Sequence, residues 1–407
     1  ILFLIDRYVF QAVRVAFRGT TFLQPRSIYA IYWVFCIIPY IVLITSGIID
    51  WHLWPKALRT YLFAFVFISF FAKLFVMVFL LLDDIIRLFR WVFSFFMQKQ
   101  ENVVGNTNSN SISRSDFLVR MGLIIGAIPF FSLLYGMVNG AYNYSVKRVK
   151  LKVPHLPDGF NGFKIVQLSD IHTGSFTLSD PVHKSVTLAM DEKPDIIFFT
   201  GDLVNDRSDE ALPFIEIFNK LKAPLGVYSI FGNHDYGDYI EWEGPEAKKN
   251  NLEKLKQVHE QLGWRLLLDE HVKIQRGSEH IGLLGVQNWS TQLRFPKYGS
   301  MEKATQNFEP APFNILLSHD PSHWRAEILK KYPFVDLMLA GHTHGFQFGV
   351  EIPGFKWSPV QYVYNEWAGL YKEGRQHLYV NRGLGFLGYP GRVGILPEIT
   401  VIELTKA

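Results

Sequence analysis

The sequence predicts an α/β domain that follows an α-helical membrane region. Two observations predict this fold class: three long apolar runs precede residue 143, and from residue 149 onward short apolar runs alternate with amphipathic helical patterns. Charged residues make up only 19% of the 407 residues, below the roughly 25% typical of soluble proteins. The composition therefore excludes a disordered chain and argues against a wholly soluble protein, and the single cysteine, Cys36, excludes an internal disulfide framework.

The two parts of the chain differ in composition. Residues 1–146 contain 12 Lys and Arg against 6 Asp and Glu, whereas residues 147–407 contain 29 against 31. The second part holds 12 of the 13 histidines. We therefore predict a membrane region over 1–146 and an α/β domain over 147–407. The basic excess lies beside apolar segments, where it indicates membrane-flanking charge and gives no sign of nucleic-acid specificity.

Three runs are long enough to cross a bilayer, at residues 29–49, 61–82 and 121–142. About 20 apolar residues in a helix span the hydrocarbon core. Lys73 is the only charge inside these runs. Because backbone groups in lipid must be satisfied internally, we predict three transmembrane helices and a lipid bilayer as a partner.

Two further stretches, about 1–18 and 83–98, place basic residues at helical spacing opposite apolar faces. This pattern predicts interfacial helices, and packing of the same faces against the spans is an equal alternative. Residues 1–17 also fit the remnant of a further span. The polar stretch 100–116 predicts a loop.

The distribution of Lys and Arg predicts the orientation. Eight basic residues fall on one side of the three spans and six on the other, which favours an extracytoplasmic α/β domain. Three of the six, Arg148, Lys150 and Lys152, alternate with apolar residues as they would on the exposed face of a β-strand.

The α/β domain shows eight strand patterns and four helical patterns. The strands are predicted at 164–168, 196–200, 227–231, 281–286, 315–317, 337–339, 378–380 and 399–403. The helices are predicted at 180–191, 211–221, 245–262 and 323–330.

Five of the predicted strands end directly in residues of metal-ligand type. They are Asp170 and His172 in KIVQLSDIH, Asp202 in DIIFFTGD, Asn233, His234 and Asp235 in VYSIFGNHD, His319 in ILLSHDP, and His342 and His344 in LMLAGHTHG. Any one of these motifs alone has an ordinary interpretation as a turn or cap. Five together predict a site, because ligands gather at the carboxyl ends of strands and burying so many ionisable groups unpaired is costly. Imidazole, carboxylate and amide groups without thiolate suit Mn, Fe or Zn.

Read in order, the motifs D-x-H, GD, GNHD, SHD and GHTH resemble the calcineurin-like metallophosphoesterases over about residues 150–407. Three further features resemble the membrane-associated bacterial phosphodiesterase branch of this family. They are the sequence LSDIHTG, the C-terminal sequence NRGLGFLGYPGRVGILPEITVIEL and the N-terminal membrane segment. The resemblance implies a four-layer αββα sandwich, a binuclear metal centre and a place in a bacterial inner membrane.

The resemblance also implies a role for each site residue. Two divalent metal ions (Mn, Fe or Zn) would be held by Asp170, His172 and His344, and by Asn233, His319 and His342, with Asp202 bridging both. Asn233 and His234 would face the phosphate, and His234 would act as a catalytic acid that we expect Asp235 to position. Phe346 stands where the family usually has a glycine and is predicted to line the substrate rim.

The implied activity is hydrolysis of a phosphodiester or phosphoanhydride by metal-bound hydroxide, on a lipid-linked or nucleotide-linked substrate. Two alternatives remain: hydrolysis of soluble phosphoesters with the membrane as a mere tether, and a non-enzymatic sensor or transporter. Aromatic residues of the late loops would either pack in the core or form an apolar wall for the substrate. They are Trp289, Trp324, Trp357, Trp367, Phe355, Tyr362 and Tyr364.

Overall fold

The computed structural model describes residues 1–18, 24–95 and 113–407. The chain forms two compact units, Ile1–Tyr135 and Gly136–Ala407. The sequence-based division after residue 146 stays a prediction, and each compact unit is described by itself below.

The first unit is helical. Its helices are α1 (Leu2–Ala16), α2 (Pro25–Ile48), α3 (Lys56–Ser94) and α4 (Arg114–Val138), of which α4 extends into the second unit. Among the described residues, three helical segments are long and apolar enough to cross a membrane: Pro25–Ile48, Lys56–Ser94 and Arg114–Tyr142. These segments overlap the three runs predicted as spans.

Helix α3 differs from the expected pair of helices. It is continuous from Lys56 to Ser94, so residues 61–82 and the described part of 83–98 belong to one helix. No Gly or Pro interrupts these 39 residues, which extend about 58 Å at 1.5 Å per residue. Residues 96–98, and residues 100–112 of the predicted loop, lie outside the described residues.

Helix α1 packs lengthwise against α2 and α3. The Asp6 carboxylate, fully buried, lies 2.5 Å from Lys73 Nζ and also accepts a hydrogen bond from Tyr40. Further along α1, Val9 and Ala12 pack in a cluster that includes Val76 of α3. Lys73 lies in the middle of the predicted span 61–82, so one face of α1 packs against that span, and the interfacial position of α1 stays a prediction.

We expect the Asp6–Lys73 pair to be energetically coupled. Either Asp6→Asn or Lys73→Met leaves a buried group without its partner, which costs about 3–5 kcal/mol, whereas the double variant should recover much of that loss. The measurement is the unfolding temperature of the purified full chain in detergent. Additive losses in the double variant would contradict the coupling. Arg87→Met is the matched control, because Arg87 is largely exposed and its ion pairs should contribute little.

The second unit contains two six-stranded sheets and a hairpin. The strands are β1 (Ser145–Val153), β2 (Phe163–Leu168), β3 (Ile196–Phe199), β4 (Val227–Ser229), β5 (Arg265–Leu266), β6 (Glu270–Arg276), β7 (Glu279–Gly285), β8 (Asn314–Leu317), β9 (Leu337–Ala340), β10 (Val350–Ile352), β11 (Phe355–Trp357), β12 (Gly369–Glu373), β13 (Gln376–Val380) and β14 (Glu398–Lys406). The sheet orders are β1-β14-β2-β3-β4-β5 and β12-β13-β9-β8-β7-β6, and β10 pairs with β11.

Five short or medium helices complete this unit. They are α5 (Asp180–Asp191), α6 (Ile215–Phe218), α7 (Pro245–Leu262), α8 (Met301–Ala304) and α9 (Leu329–Lys331), and a wider turn at Trp324–Ile328 leads into α9. The predicted helix 211–221 is divided between the end of a tighter 3₁₀ segment, Ser208–Phe214, and the short α6, and residues 219–221 lie beyond both. Pro213 explains the difference, because proline cannot donate the backbone hydrogen bond of a regular helix.

Three apolar layers hold the second unit together. Alternate residues of β3 face opposite ways: Ile196 and Phe198 pack between the two sheets, whereas Ile197 and Phe199 pack in the cluster that contains residues of α5 and α7. The outer face of the second sheet packs against Trp324 and other residues of the α8 and α9 region. The order helix, sheet, sheet, helix is the four-layer αββα sandwich that the sequence predicts.

Candidate metal centre

The predicted ligands follow parallel strands, whose carboxyl ends lie side by side within each sheet. Strands β2, β3 and β4 are parallel neighbours in one sheet, and β8 and β9 are parallel neighbours in the other. Asp170, Asp202, His319 and His342 each lie two or three residues beyond the end of their strand. The fold therefore brings all five motifs together at one place within the second unit.

Five of the predicted ligands adopt a left-handed backbone conformation. The φ angles are 49° for Asp170, 49° for His172, 61° for Asp202, 69° for His342 and 50° for His344. This region is uncommon for residues other than glycine, and each such residue costs on the order of 1–3 kcal/mol. Strain concentrated in consecutive ligand loops is typical of a functional site, where the surrounding structure holds the side chains in place.

The side chains form two groups of potential metal ligands. One contains Asp170, His172 and His344, and the other contains Asp202, His319 and His342; in each group the ligand atoms lie within 4.8 Å of one another. In the first group the Nε2 atoms of His172 and His344 are 3.0 Å apart, and His344 Nε2 is 3.2 Å from Asp170 Oδ1.

Asp202 lies between the two groups. Its Oδ2 atom is 3.1 Å from His319 Nε2 in the second group and 3.6 Å from His172 Nε2 in the first. Its Oδ1 atom accepts a hydrogen bond from the backbone N–H of His234 at 2.9 Å. A carboxylate with one oxygen facing both groups is suited to bridging two cations.

Hydrogen bonds fix the ring nitrogens of the second group. His319 Nδ1 lies 2.7 Å from the Thr200 carbonyl, which can only accept, so Nδ1 carries the hydrogen and Nε2 is left for a cation. Within the described residues, His319 Nε2 is buried and makes no hydrogen bond of acceptable geometry. His342 Nδ1 lies 2.8 Å from Asn233 Oδ1, which adds Asn233 to this group. A buried unsatisfied nitrogen beside oxygen ligands fits a divalent metal ion.

Two glycines of the motifs permit the close approach of the ligands. A Cβ atom at Gly341 would lie 2.2 Å from Asp170 Oδ2, and one at Gly232 would lie 2.2 Å from Asp202 Oδ1. The glycines of GHTH and GNHD are thus required by the carboxylates that pack against them.

The electrostatics of the site favour charged aspartates and two neutral histidines. Burial opposes ionisation of Asp170 and Asp202, but the facing histidines outweigh burial and lower the pKa of both carboxyls below the usual range. Burial lowers the pKa of His172 well below its ordinary value and that of His342 to about 4. Burial also acts on His319, but attraction from Asp202 prevails and raises the pKa of His319 to about 10. A cation that binds at His319 must therefore displace a proton.

His234 and Asp235 do not have the relation that we expected. His234 Nδ1 lies 2.7 Å from the Asn205 carbonyl, so Asn205, and not Asp235, holds the His234 ring. The Asp235 carboxylate instead accepts backbone hydrogen bonds from Gly232, Asp202 and Leu203, each at 2.8 Å. Burial and the charge of Asp202 raise the pKa of Asp235 to about 7. Asp235 thus ties the loop after β3 to the loop after β4 and acts on the site by positioning its backbone.

The structure adds residues that the motifs do not reveal. Tyr364 OH lies 2.9 Å from His342 Nε2 and donates to Asp320 Oδ2 at 3.0 Å, and the buried Arg392 guanidinium lies 3.2 Å from His344 Nδ1. Asp320 directly follows His319 in the motif SHDP, so its place near the site could have been predicted from the sequence. Tyr364 was noted only as one of the late aromatic residues, and Arg392 lies in the C-terminal NRGLGFLGYPGRVGILPEITVIEL, but neither pattern indicates a contact with a ligand.

The residues predicted at the rim divide into buried and exposed sets. Phe346 is 61% exposed and has a φ of 59°, a conformation that glycine adopts more readily than other residues. Of the late aromatic residues, Trp324, Trp367 and Tyr364 are buried, whereas Phe355 and Tyr362 are exposed.

The sequence matches two protein-family models. Residues 1–141 match "Probable Calcineurin-like phosphoesterase, transmembrane domain", and residues 163–346 match "Calcineurin-like phosphoesterase". The two matches cover the helical region and all five motifs.

Curated relatives carry the same domain. The chain is 35% identical to an uncharacterised metallophosphoesterase of Bacillus subtilis, YkuE, over 72% of this chain and 98% of that protein. It is 29% identical to the phosphodiesterase YaeI of Escherichia coli over 72% of this chain and 99% of that protein. A zebrafish transmembrane protein with a metallophosphoesterase domain is 31% identical, over 70% of this chain and 62% of that protein. Among solved structures, TT1561 of Thermus thermophilus matches with 16% identity and a TM-score of 0.33, over 57% of this chain and 91% of that one.

Proposed function

The chain belongs to the calcineurin-like metallophosphoesterases, a family of metal-dependent phosphoester hydrolases, and we propose that it hydrolyses a phosphodiester or phosphoanhydride at the membrane surface. The single observation that carries the proposal is the pair of adjoining ligand groups with Asp202 between them. The chain also has a transmembrane region, so the protein is membrane-associated.

We assign the site residues as follows. Asp170, His172 and His344 would hold one cation, Asn233, His319 and His342 would hold the other, and Asp202 would contact both. When bound, two divalent cations (Mn, Fe or Zn) supply Lewis acidity for the phosphoryl oxygens and a water-derived nucleophile at neutral pH. The cluster of imidazole and carboxylate ligands, without a thiolate, supports this choice of metals.

The second task of the site is to stabilise and protonate the leaving group. Because the Asn205 carbonyl occupies His234 Nδ1, the other ring nitrogen of His234 is left to hold a proton for the leaving oxygen. Tyr239 accepts a hydrogen bond from the Asn233 side chain at 2.8 Å, which fixes the orientation of that amide. We place the phosphoryl group against Asn233 and His234, with Phe346 at the rim.

We further propose a lipid-linked or nucleotide-linked substrate, a bacterial inner membrane and an extracytoplasmic catalytic domain. The basic residues at the start of the catalytic domain support this orientation, because Arg148 pairs with Glu192 and Lys150 lies 3.6 Å from Glu403. Both are part of strand β1, so they count less as membrane-flanking charges than the eight on the opposite side.

Metal removal tests the proposed reaction. We expect the purified full chain in lipid nanodiscs to lose hydrolysis of bis(p-nitrophenyl) phosphate after chelation and dialysis, and to regain it with Mn²⁺, Fe²⁺ or Zn²⁺. Undiminished activity in the metal-free protein would contradict the proposal. The reconstituted protein is then assayed by mass spectrometry against a lipid extract and a nucleotide panel, where turnover of soluble nucleotides alone would contradict a lipid-linked substrate.

A further inference from the structure

The segment that follows His344 exposes apolar side chains on the surface of the catalytic unit. Its exposed large apolar residues, named here the hairpin surface, are Phe346, Val350, Ile352, Phe355, Tyr362 and Val363. Contiguous exposed apolar patches larger than a few hundred Å² are uncommon on soluble proteins and mark contact sites.

The pairing of β10 with β11 gives this surface a direction. Val350 pairs with Trp357 and Ile352 with Phe355, so these four side chains share one face of the hairpin. Glu351 pairs with Lys356, and both lie on the opposite face.

The charged residues of the opposite face bond to the body of the unit. Glu351 lies 2.8 Å from Arg382, and Lys356 Nζ donates to the Ala368 carbonyl at 2.5 Å. The third charged residue of the segment 346–367, Glu366, lies 2.6 Å from Arg325. Every charge of this segment therefore has a partner within the unit, whereas its apolar face points away from the body. An ordinary water-exposed loop would have the opposite arrangement.

The root of the hairpin is close to the end of α4. The backbone N–H of Arg392 donates to the Gly136 carbonyl of α4 at 3.1 Å, and a Cβ atom at Gly136 would lie 2.5 Å from Val393. The Gly349 N–H in turn donates to the Val393 carbonyl at 2.9 Å. Arg392 and Val393 thus lie between α4 and the segment that leads into β10. At the usual spacing of neighbouring strands, α4 and that segment are about 10 Å apart.

Helix α4 belongs to a segment able to span a membrane, and Val138 in its last turn is exposed and apolar. The end of this segment, which begins the second unit at Gly136, therefore lies beside the hairpin root. Tyr362 and Trp357, 3.4 Å apart at their polar atoms, are residue types typical of the membrane interface.

We propose that the hairpin surface inserts into the headgroup region of the same bilayer that α4 crosses. The insertion holds the loop of His342 and His344 at the lipid surface, since that loop leads directly into the hairpin and Ser358 donates to the Gly345 carbonyl at 2.8 Å. The contact does not depend on the proposed reaction, because it rests on the exposed face and its connection to α4.

Depth-dependent quenching in liposomes tests this contact. In the full chain with Cys36→Ala, a single cysteine at Ile352→Cys or Phe355→Cys is labelled with an environment-sensitive fluorophore. We expect a blue-shifted emission, quenching by lipids spin-labelled near the headgroup, and protection from aqueous iodide. Leu212→Cys is the matched control, because Leu212 is an apolar residue that is 54% exposed, as Phe355 is.

Quenching at positions 352 and 355 no stronger than at 212 would overturn the proposal. Protection from iodide without lipid quenching would also overturn it, since protein would then cover the face. Hydrolysis of bis(p-nitrophenyl) phosphate by each labelled protein is recorded in parallel, so a failed metal centre and a failed membrane contact give separate results.

Discussion

Asp202→Asn should abolish turnover while the chain remains folded. The carboxylate lies between the two ligand groups, with Oδ2 3.1 Å from His319 Nε2 and 3.6 Å from His172 Nε2. Asparagine keeps the size of the side chain but removes the negative charge that would offset two cations. We expect kcat for bis(p-nitrophenyl) phosphate to fall at least about 10³-fold, equivalent to about 4 kcal/mol of transition-state stabilisation.

Metal content distinguishes a bridging role from a merely structural one. We expect Asp202→Asn to retain fewer metal ions per chain than the unmodified protein, measured by elemental mass spectrometry after gel filtration. Asp209→Asn serves as the control, because Asp209 lies in the same region of the chain with a mainly exposed side chain. Near-normal kcat together with full metal content in Asp202→Asn would refute the bridge.

The fold could be predicted from sequence where burial is one-sided or complete. The strands IIFF (β3), NILL (β8) and LMLA (β9) are wholly buried, and the short apolar runs within them are recognisable as strands. Strands β6 and β12 were not predicted, because both are edge strands of the second sheet and several of their residues are exposed and charged.

The membrane region shows why a buried charge can escape sequence analysis. Asp6 follows five apolar residues and precedes Arg7, and the pattern identifies only the basic stripe of α1 as polar. Its partner Lys73 is 67 residues away, so nothing local marks the pair. Lys73 accordingly seemed to be the sole charge within the membrane segments, whereas the structure gives it a carboxylate partner.

The same limit applies to the candidate site. The five motifs could be predicted as one site because strand ends converge in an α/β fold. The contacts that orient the ligands could not, because they come from backbone carbonyls and distant loops. The Thr200 carbonyl, which fixes His319, lies 119 residues away in sequence, and Arg392 lies 48 residues from His344.

His234→Ala should reduce turnover and leave metal content unchanged. His234 is not part of either ligand group, and its ring is oriented by the Asn205 carbonyl at 2.7 Å. Loss of a general acid lowers the rate by about 10²–10⁴-fold. His183→Ala is the matched control, since His183 is an exposed residue of α5.

The dependence on the leaving group tests the acid role directly. p-Nitrophenolate departs readily without a proton, whereas an alkoxide needs one, so the loss in His234→Ala should be larger for an alkyl phosphodiester than for bis(p-nitrophenyl) phosphate. An equal loss for both substrates, with metals retained, would assign His234 to stabilisation of the phosphoryl charge instead. A variant that kept normal kcat on both substrates would remove His234 from the site, and the proton for the leaving oxygen would then have to come from another group beside the ligands.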